Sequence, residues 1–370
     1  MKRPFLGKRL VALREKLSGI SADTAWITQP ENRRYLSGFR AGDSQLNESS
    51  GSLLINQTFA LLITDSRYTL EAEKEAPNFE VVTQKDDLIE TLPELLGRIG
   101  TIRLGFEEDY LSWGLHRQLN TKIRQRSFQI RFTPLKGEVE RMREVKEPSE
   151  VKAIEASAQL MSKILEEVMA GLKPGLKERD VAWQIEGLAR EAGAEGLAFP
   201  SIVASGPNSA LPHAVPTNRR IRAREPIILD VGLKVDGYCC DMTRTVFLGA
   251  PGRKFRGIYR TARQAQLAAL EKIVPGVKST YVDSIAREVI RGAGYGDYFG
   301  HSLGHGVGLA THEGPRLGPR KPQILEKGMV VTVEPGIYIP GKGGVRLEEM
   351  VVIEKNGPRI LTKEPHFFDY

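Results

Sequence analysis

Four carboxylates and one imidazole stand out in this sequence as groups whose types and spacing could do chemistry. Two of the carboxylates lie on Ile227-Ile-Leu-Asp230-Val-Gly-Leu-Lys-Val-Asp236-Gly237-Tyr-Cys-Cys-Asp241-Met-Thr-Arg-Thr-Val246. This stretch reads as two strands joined by an Asp-Gly turn. Pairing Val235 with Tyr238 across a two-residue turn sets Asp241 opposite Gly232, with Asp230 on the same face of the ribbon. The two acids are then diagonal neighbours, roughly 7–8 Å apart at the backbone. Like charges so placed repel, and a cation between them relieves that. A Lys or Arg could serve; a divalent metal fits the geometry better. His305 belongs to Gly300-His301-Ser-Leu-Gly304-His305-Gly306-Val-Gly308-Leu-Ala-Thr-His312-Glu313, which holds three of the six histidines. Its glycines allow close backbone approach. Glu334 ends the β-branched run Met329-Val-Val-Thr-Val, and Glu348 lies on Gly344-Val-Arg346-Leu-Glu348-Glu349. There Arg346 and Glu348 share a face and Glu349 takes the other. Taken singly, each of these acids is an ordinary surface carboxylate on a strand. Beside the aspartate hairpin they read as one site.

Asp230, Asp241, Glu334 and Glu348 carry charge for two divalent ions. Oxygen-rich ligation with one imidazole, His305, suits Mn²⁺, Co²⁺, Fe²⁺ or Zn²⁺ in five- or six-coordinate geometry and argues against a closed structural zinc. Two such ions lower the pKa of a shared water and stabilise a tetrahedral oxyanion, the requirements of amide or phosphoester hydrolysis. Amides are favoured. His213, His301 and His312 can donate to a carbonyl or carboxylate, and no Gly-rich phosphate loop is present.

The elements that must position these groups fall in the second half of the chain, which repeats itself. Pro174-Gly-Leu-Lys177 to Gly193 matches Pro275-Gly-Val-Lys278 to Gly294 at seven of twenty positions. A long amphipathic helix precedes each copy, over 150–171 and 255–273, and strand-rich sequence follows. The pattern predicts a duplicated helix–helix–sheet unit over 150–370 with pseudo-twofold symmetry and a site between its halves. Residues 1–137 alternate helical and strand patterns, predicting an α/β domain with a mixed sheet. Helices are expected at 9–17, 66–76, 86–97 and 112–125, and strands at 24–28, 52–56, 58–64, 103–106 and 128–133. Asn32–Tyr35 and Asp65–Tyr68 are polar-aromatic clusters that fit turn and capping chemistry as well as binding. Residues 138–149 are almost all charged and read as a solvated linker that becomes helical.

Composition excludes several classes. The net charge of +7 is spread as +2 over residues 1–145 and +5 over 146–370, with no basic stripe, so nucleic acid is not an expected partner. No apolar run approaches a membrane span and the N-terminus has no apolar signal core, so a cytoplasmic protein is expected. The adjacent Cys239 and Cys240 make neither a structural disulfide nor a zinc-ligand spacing and read as small strand residues.

The order Asp230, Asp241, His305, Glu334, Glu348 resembles the pita-bread metallopeptidases, family M24, which hold methionine aminopeptidase, aminopeptidase P, prolidase and creatinase. The proline-specific branch is the nearest. The resemblance extends to Ile202–Ala214, Asp241-Met-Thr-Arg-Thr, Val333-Glu334-Pro-Gly, Val345-Arg-Leu-Glu348-Glu and, in the first half, Tyr35-Leu-Ser-Gly-Phe and Asp65-Ser-Arg-Tyr68. It implies a creatinase-type N-terminal domain, an α+β pita-bread domain and a homodimer. It also implies two divalent ions, Mn²⁺ ahead of Co²⁺, Zn²⁺ or Fe²⁺. Asp241 and Glu348 would bridge both ions, Asp230 would complete one shell, and His305 and Glu334 the other. Glu334 would also move the proton of the attacking water. His213 and His312 would hold the substrate carbonyl, and His301 the residue after the cut. Arg346 would meet the substrate's distal end or support the ligands. The implied substrate is a peptide with proline second. Xaa-Pro aminopeptidase is the expected activity, and a prolidase restricted to dipeptides the alternative. A metal-free creatinase-type hydrolase and a non-catalytic binding protein are remoter, since both usually lack part of the ligand set. Cys240 stands where the family often has Ser, and Glu349 where Asp is common.

Overall fold

A computed structural model describes residues 4–43, 45, 48–85 and 87–362. Asp86, the expected start of a helix, and the two chain ends lie outside them. The chain divides into two compact units after Met142.

The first unit is an α/β domain around a six-stranded mixed sheet. Its spatial order is Glu80–Thr83, Ala60–Thr64, Ser52–Asn56, Thr24–Ile27, Arg103–Phe106, Arg131–Pro134. The two central hairpin pairings are antiparallel and the outer ones parallel. Helices Leu88–Arg98 and Trp113–Gln125 start on Asp87 and Ser112, whose side chains accept from backbone N–H groups in the first turn. They cover a core that includes Trp26, Leu54, Leu92, Leu104 and Leu119. The strand Glu80–Thr83 was not legible in the sequence; it is a short edge strand with no fully buried side chain. The polar-aromatic clusters do structural work. Arg33 is fully buried, donating to the Gly51 carbonyl (2.6 Å) and paired with Asp43 (2.9 Å). Asp65 caps its own turn through the Arg67 N–H.

In the second unit the duplication is visible bond by bond. Helices Pro148–Gly171 and Glu178–Glu191 recur as Arg253–Leu270 and Ser279–Gly292. In one copy Gly175 N–H donates to Ile221, and Ile221 N–H to Leu176; in the other Gly276 donates to Leu325, and Leu325 to Val277. Gly175 and Gly276 have φ of 96° and 91°, a conformation open to glycine. Each helix pair packs on its own antiparallel sheet. The first is Ile202–Ser205, Ile227–Val231 and Met242–Val246; the second has five strands, centred on Val330–Val333 and Glu349–Glu354.

The aspartate ribbon keeps one register from Val235↔Tyr238 through Met242↔Val231 to Val246↔Ile227, as the turn predicts. Asp236 and Gly237 both have positive φ, 50° and 74°, the type I′ geometry that matches strand twist. The ribbon nevertheless belongs to two sheets and breaks at Gly232. A Cβ there would lie 2.2 Å from the Cys240 carbonyl oxygen. Gly232→Ala is therefore expected to lower stability by about 1–3 kcal/mol, read as a drop in the thermal unfolding midpoint.

The charged connector is only partly solvated: Arg141 is exposed, but three other charges turn inward. Arg143, Lys146 and Glu150 are buried. Glu150 closes a capping box with Glu147 and accepts from the Tyr238 hydroxyl (2.9 Å), while Lys146 N–H donates to Gly328. These three charges have partners, so the second half of the run is held against the sheets instead of lying in water.

Candidate metal centre

The nine residues singled out in the sequence line one cavity of roughly 720 Å³, a size that suits a small ligand. Asp230 is the penultimate residue of the inner strand of the first sheet, and Asp241 precedes the strand paired with it. His305 lies on Gly304–Gly306, Glu334 follows Val330–Val333, and Glu348 precedes Glu349–Glu354. Donor atoms of Asp241, His305 and Glu348 come within 4.8 Å of one another. His305 Nε2 is 3.3 Å from Glu334 Oε1 and 3.7 Å from Asp241 Oδ2. The other ring nitrogen meets the Gly306 carbonyl at 3.0 Å, so Nδ1 carries a proton; against the pull of burial, Glu334 holds a second proton on Nε2, which a bound cation would displace to take the lone pair.

Charge in this cluster is poorly compensated. Burial, then the neighbouring Glu348, Asp230 and Glu334, push the Asp241 carboxyl well above the usual range. Burial and the charges of Glu334 and Asp230 do the same to Glu348. Burial also raises Asp230, against the opposing pull of Arg346. Glu334 goes the other way: burial opposes its charge, but the His305 hydrogen bond and nearby cations bring it to about 2. Glu348 Oε2 accepts from Thr243 (2.7 Å), while its buried Oε1 has no hydrogen-bond partner among the described residues. An orphaned carboxylate oxygen in a cluster of acids is what a cation would satisfy. The oxygen-rich donor set therefore fits divalent metal.

Around this cluster the structure sorts the other groups. Arg346 is buried, and every guanidinium nitrogen has a protein partner. Nη2 meets Asp230, Nη1 the Pro212 carbonyl (3.0 Å) and the Tyr338 hydroxyl (2.8 Å), and Nε the Thr243 hydroxyl (3.1 Å). Tyr338, to which the sequence reading gave no role, also bonds His301 Nε2 at 3.0 Å; burial lifts its hydroxyl to about 12, so it stays protonated. The His312 ring lies against that of His305, centroids 4.3 Å apart. Burial lowers the pKa of His301, and burial and the charge of His305 that of His312. Glu349 turns away from the cavity as the strand alternation requires. It is buried rather than at the surface, beside Arg244 and Thr362. Sequence reasoning missed Arg316, a cavity residue on the strand Glu313–Leu317. It carries no motif; only its place on a strand leaving the histidine loop could have flagged it.

The profile of metallopeptidase family M24 matches residues 152–355, and that of the creatinase/prolidase N-terminal domain residues 9–145. The chain belongs to family M24. Among M24 relatives, the Xaa-Pro dipeptidase of Pyrococcus furiosus is 37% identical over 361 residues, 96% of this chain and 98% of that one. The solved Xaa-Pro dipeptidase from Bacillus anthracis superposes with a TM-score of 0.91 at 36% identity, covering 97% of this chain and 98% of its own. The X-Pro aminopeptidase from Thermotoga maritima gives 0.84 at 36% identity, covering 95% and 98%. The protein is an M24 metallopeptidase of the prolidase/Xaa-Pro peptidase type, with the creatinase-type and pita-bread domains expected from the sequence. The family depends on two divalent metal ions. No helix among the described residues is long and apolar enough to cross a membrane.

Proposed function

We propose that this chain is an Xaa-Pro dipeptidase, with Asp230, Asp241, His305, Glu334 and Glu348 as its metal ligands and manganese as its resident ion. The aminopeptidase expected from the sequence becomes the second reading, kept alive by the likeness to the Thermotoga maritima enzyme. The observation that carries the choice is Arg316. Its Nε donates to the Ser302 hydroxyl (3.0 Å), and its terminal nitrogens have no partner among the described residues. A cation so placed in a peptide-sized cavity can take the carboxylate that a dipeptide presents right after its proline; a longer peptide presents an amide there.

When bound, a pair of divalent ions lowers the pKa of water and polarises the scissile carbonyl. Glu334 accepts the proton of the attacking water and passes it to the leaving proline nitrogen. His213 and His312 donate to the carbonyl oxygen as it gains charge, and His301, held by Tyr338, lines the proline side. Arg346 holds Asp230 in place.

Ala-Pro and Ala-Pro-Ala, given side by side to the Mn²⁺-loaded enzyme with an EDTA control, test the reading. Cleavage of Ala-Pro alone is the expected result. Release of Ala and Pro-Ala from the tripeptide would establish the aminopeptidase instead. Arg316→Met should raise KM for Ala-Pro about 10- to 100-fold with little change in kcat, the loss of one charge-assisted hydrogen bond.

A further inference from the structure

We propose that the buried triad Arg143–Glu313–Lys146 positions His312 in the active site. Glu313 follows His312 and lines the same cavity, yet both its oxygens are taken by protein cations. Arg143 Nη2 meets Oε2, and Lys146 Nζ meets Oε1 at 2.7 Å. The side chains of Arg143, Lys146 and Glu313 are 3%, 1% and 6% exposed, so the triad is sealed from solvent and carries a net charge of +1. Sealing three charges is costly unless their geometry is held, and here the segment that carries both cations is anchored. Lys146 N–H donates to Gly328, and Val145 bridges Met329, tying the cations to the second sheet.

The glycines of the loop answer to this triad. A Cβ on Gly308 would lie 2.3 Å from Glu313 Oε1, and one on Gly314 would lie 2.1 Å from Glu144 Oε1. Gly308, read in the sequence as allowing close backbone approach, and Gly314 beyond it make room for these acids. The His312 ring, by contrast, has no hydrogen-bond partner among the described residues and only stacks on His305. Its aim must come from its backbone. Thr311, donating to the Ala198 carbonyl (3.1 Å), holds one side, and Glu313 holds the other. The proposal rests on the reading that His312 acts on the substrate carbonyl.

The test is a double-mutant cycle on Ala-Pro with the metal-loaded full chain: wild type, Glu313→Gln, His312→Ala and the pair, with metal content and thermal unfolding followed in each. Glu313→Gln is expected to lower kcat about 10²-fold through misplacement of one group. KM should change by less than about threefold and metal content not at all. In the His312→Ala background the same change should cost less than about twofold, because groups that act as a unit are not additive. An equal loss in both backgrounds would make Glu313 merely structural and overturn the proposal. His312→Ala without effect would overturn the reading of His312 instead, and this inference with it. Should Glu313→Gln not fold, Lys146→Met leaves a balanced Arg143–Glu313 pair and is read through the same cycle, with the same two outcomes.

Discussion

Glu334→Gln should cut kcat on Ala-Pro by about 10²- to 10⁴-fold, the range for loss of a positioned proton acceptor. Glu334 meets the requirements of that role. It sits where a buried strand ends, its Oε1 accepts from the Thr332 hydroxyl (3.1 Å), and His305 Nε2 is 3.3 Å away. Burial alone would raise the pKa of its carboxyl. The His305 hydrogen bond and the charges of His305, His301 and Arg346 outweigh that and bring it to about 2. In the metal-free chain it is thus ionised at a pH where Asp241 and Glu348 beside it still hold their protons. The amide keeps shape and one lone-pair donor but takes no proton. Because Glu334 is also a proposed ligand, kcat must be read at saturating Mn²⁺ with metal content measured. A metal-loaded Gln variant that keeps more than a tenth of wild-type kcat would remove Glu334 from the proton transfer.

Much of this site was legible because its geometry is local. A two-residue Asp-Gly turn fixes the register of the whole ribbon, and the register fixes which acids share a face. The duplicated Pro-Gly-x-Lys segments likewise fix two helix starts and the glycine turns before them. What was not legible depends on contacts distant in sequence. Arg143 and Lys146 look like a solvated run until Glu313, over 160 residues away, is placed between them. Tyr338 gains a role only through Arg346 and His301, and Arg316 only through the cavity that it lines. The turn sets Gly232 opposite Asp241 without saying why a glycine stands there; its missing side chain answers to the Cys240 carbonyl. Periodicity encodes the face a residue takes within its own element, and says nothing of the partner that another element brings to it.

Removing metal should destabilise the protein more at pH 8 than at pH 5. In the metal-free chain Asp230, Asp241 and Glu348 hold their protons more tightly than the unfolded chain does, for which 3.8 and 4.5 are the ordinary values. Well below these ordinary values the groups are protonated in both states and cost nothing. As pH rises past 4.5, the unfolded state releases protons that the folded state retains, so it binds fewer and stability falls. Glu334 has the opposite sign. Its low value contributes stability that is present above 4.5 and lost on acidification towards 2, so it does not offset the fall above 4.5; the lowered His301 and His312 oppose that fall and the raised His305 adds to it. Divalent ions compete with those same protons, so their affinity grows over the interval in which the metal-free chain weakens. Ligand at a hundredfold excess over its Kd adds about 2.7 kcal/mol, or roughly 5–10 °C for a unit of this size. Thermal unfolding of Mn²⁺-loaded and EDTA-treated protein should show a gap of that order at pH 8 that narrows steadily towards pH 5. A gap that is constant with pH would mean that metal binding does not displace protons from these three carboxylates, and the cluster around Glu348 would then not be the metal centre.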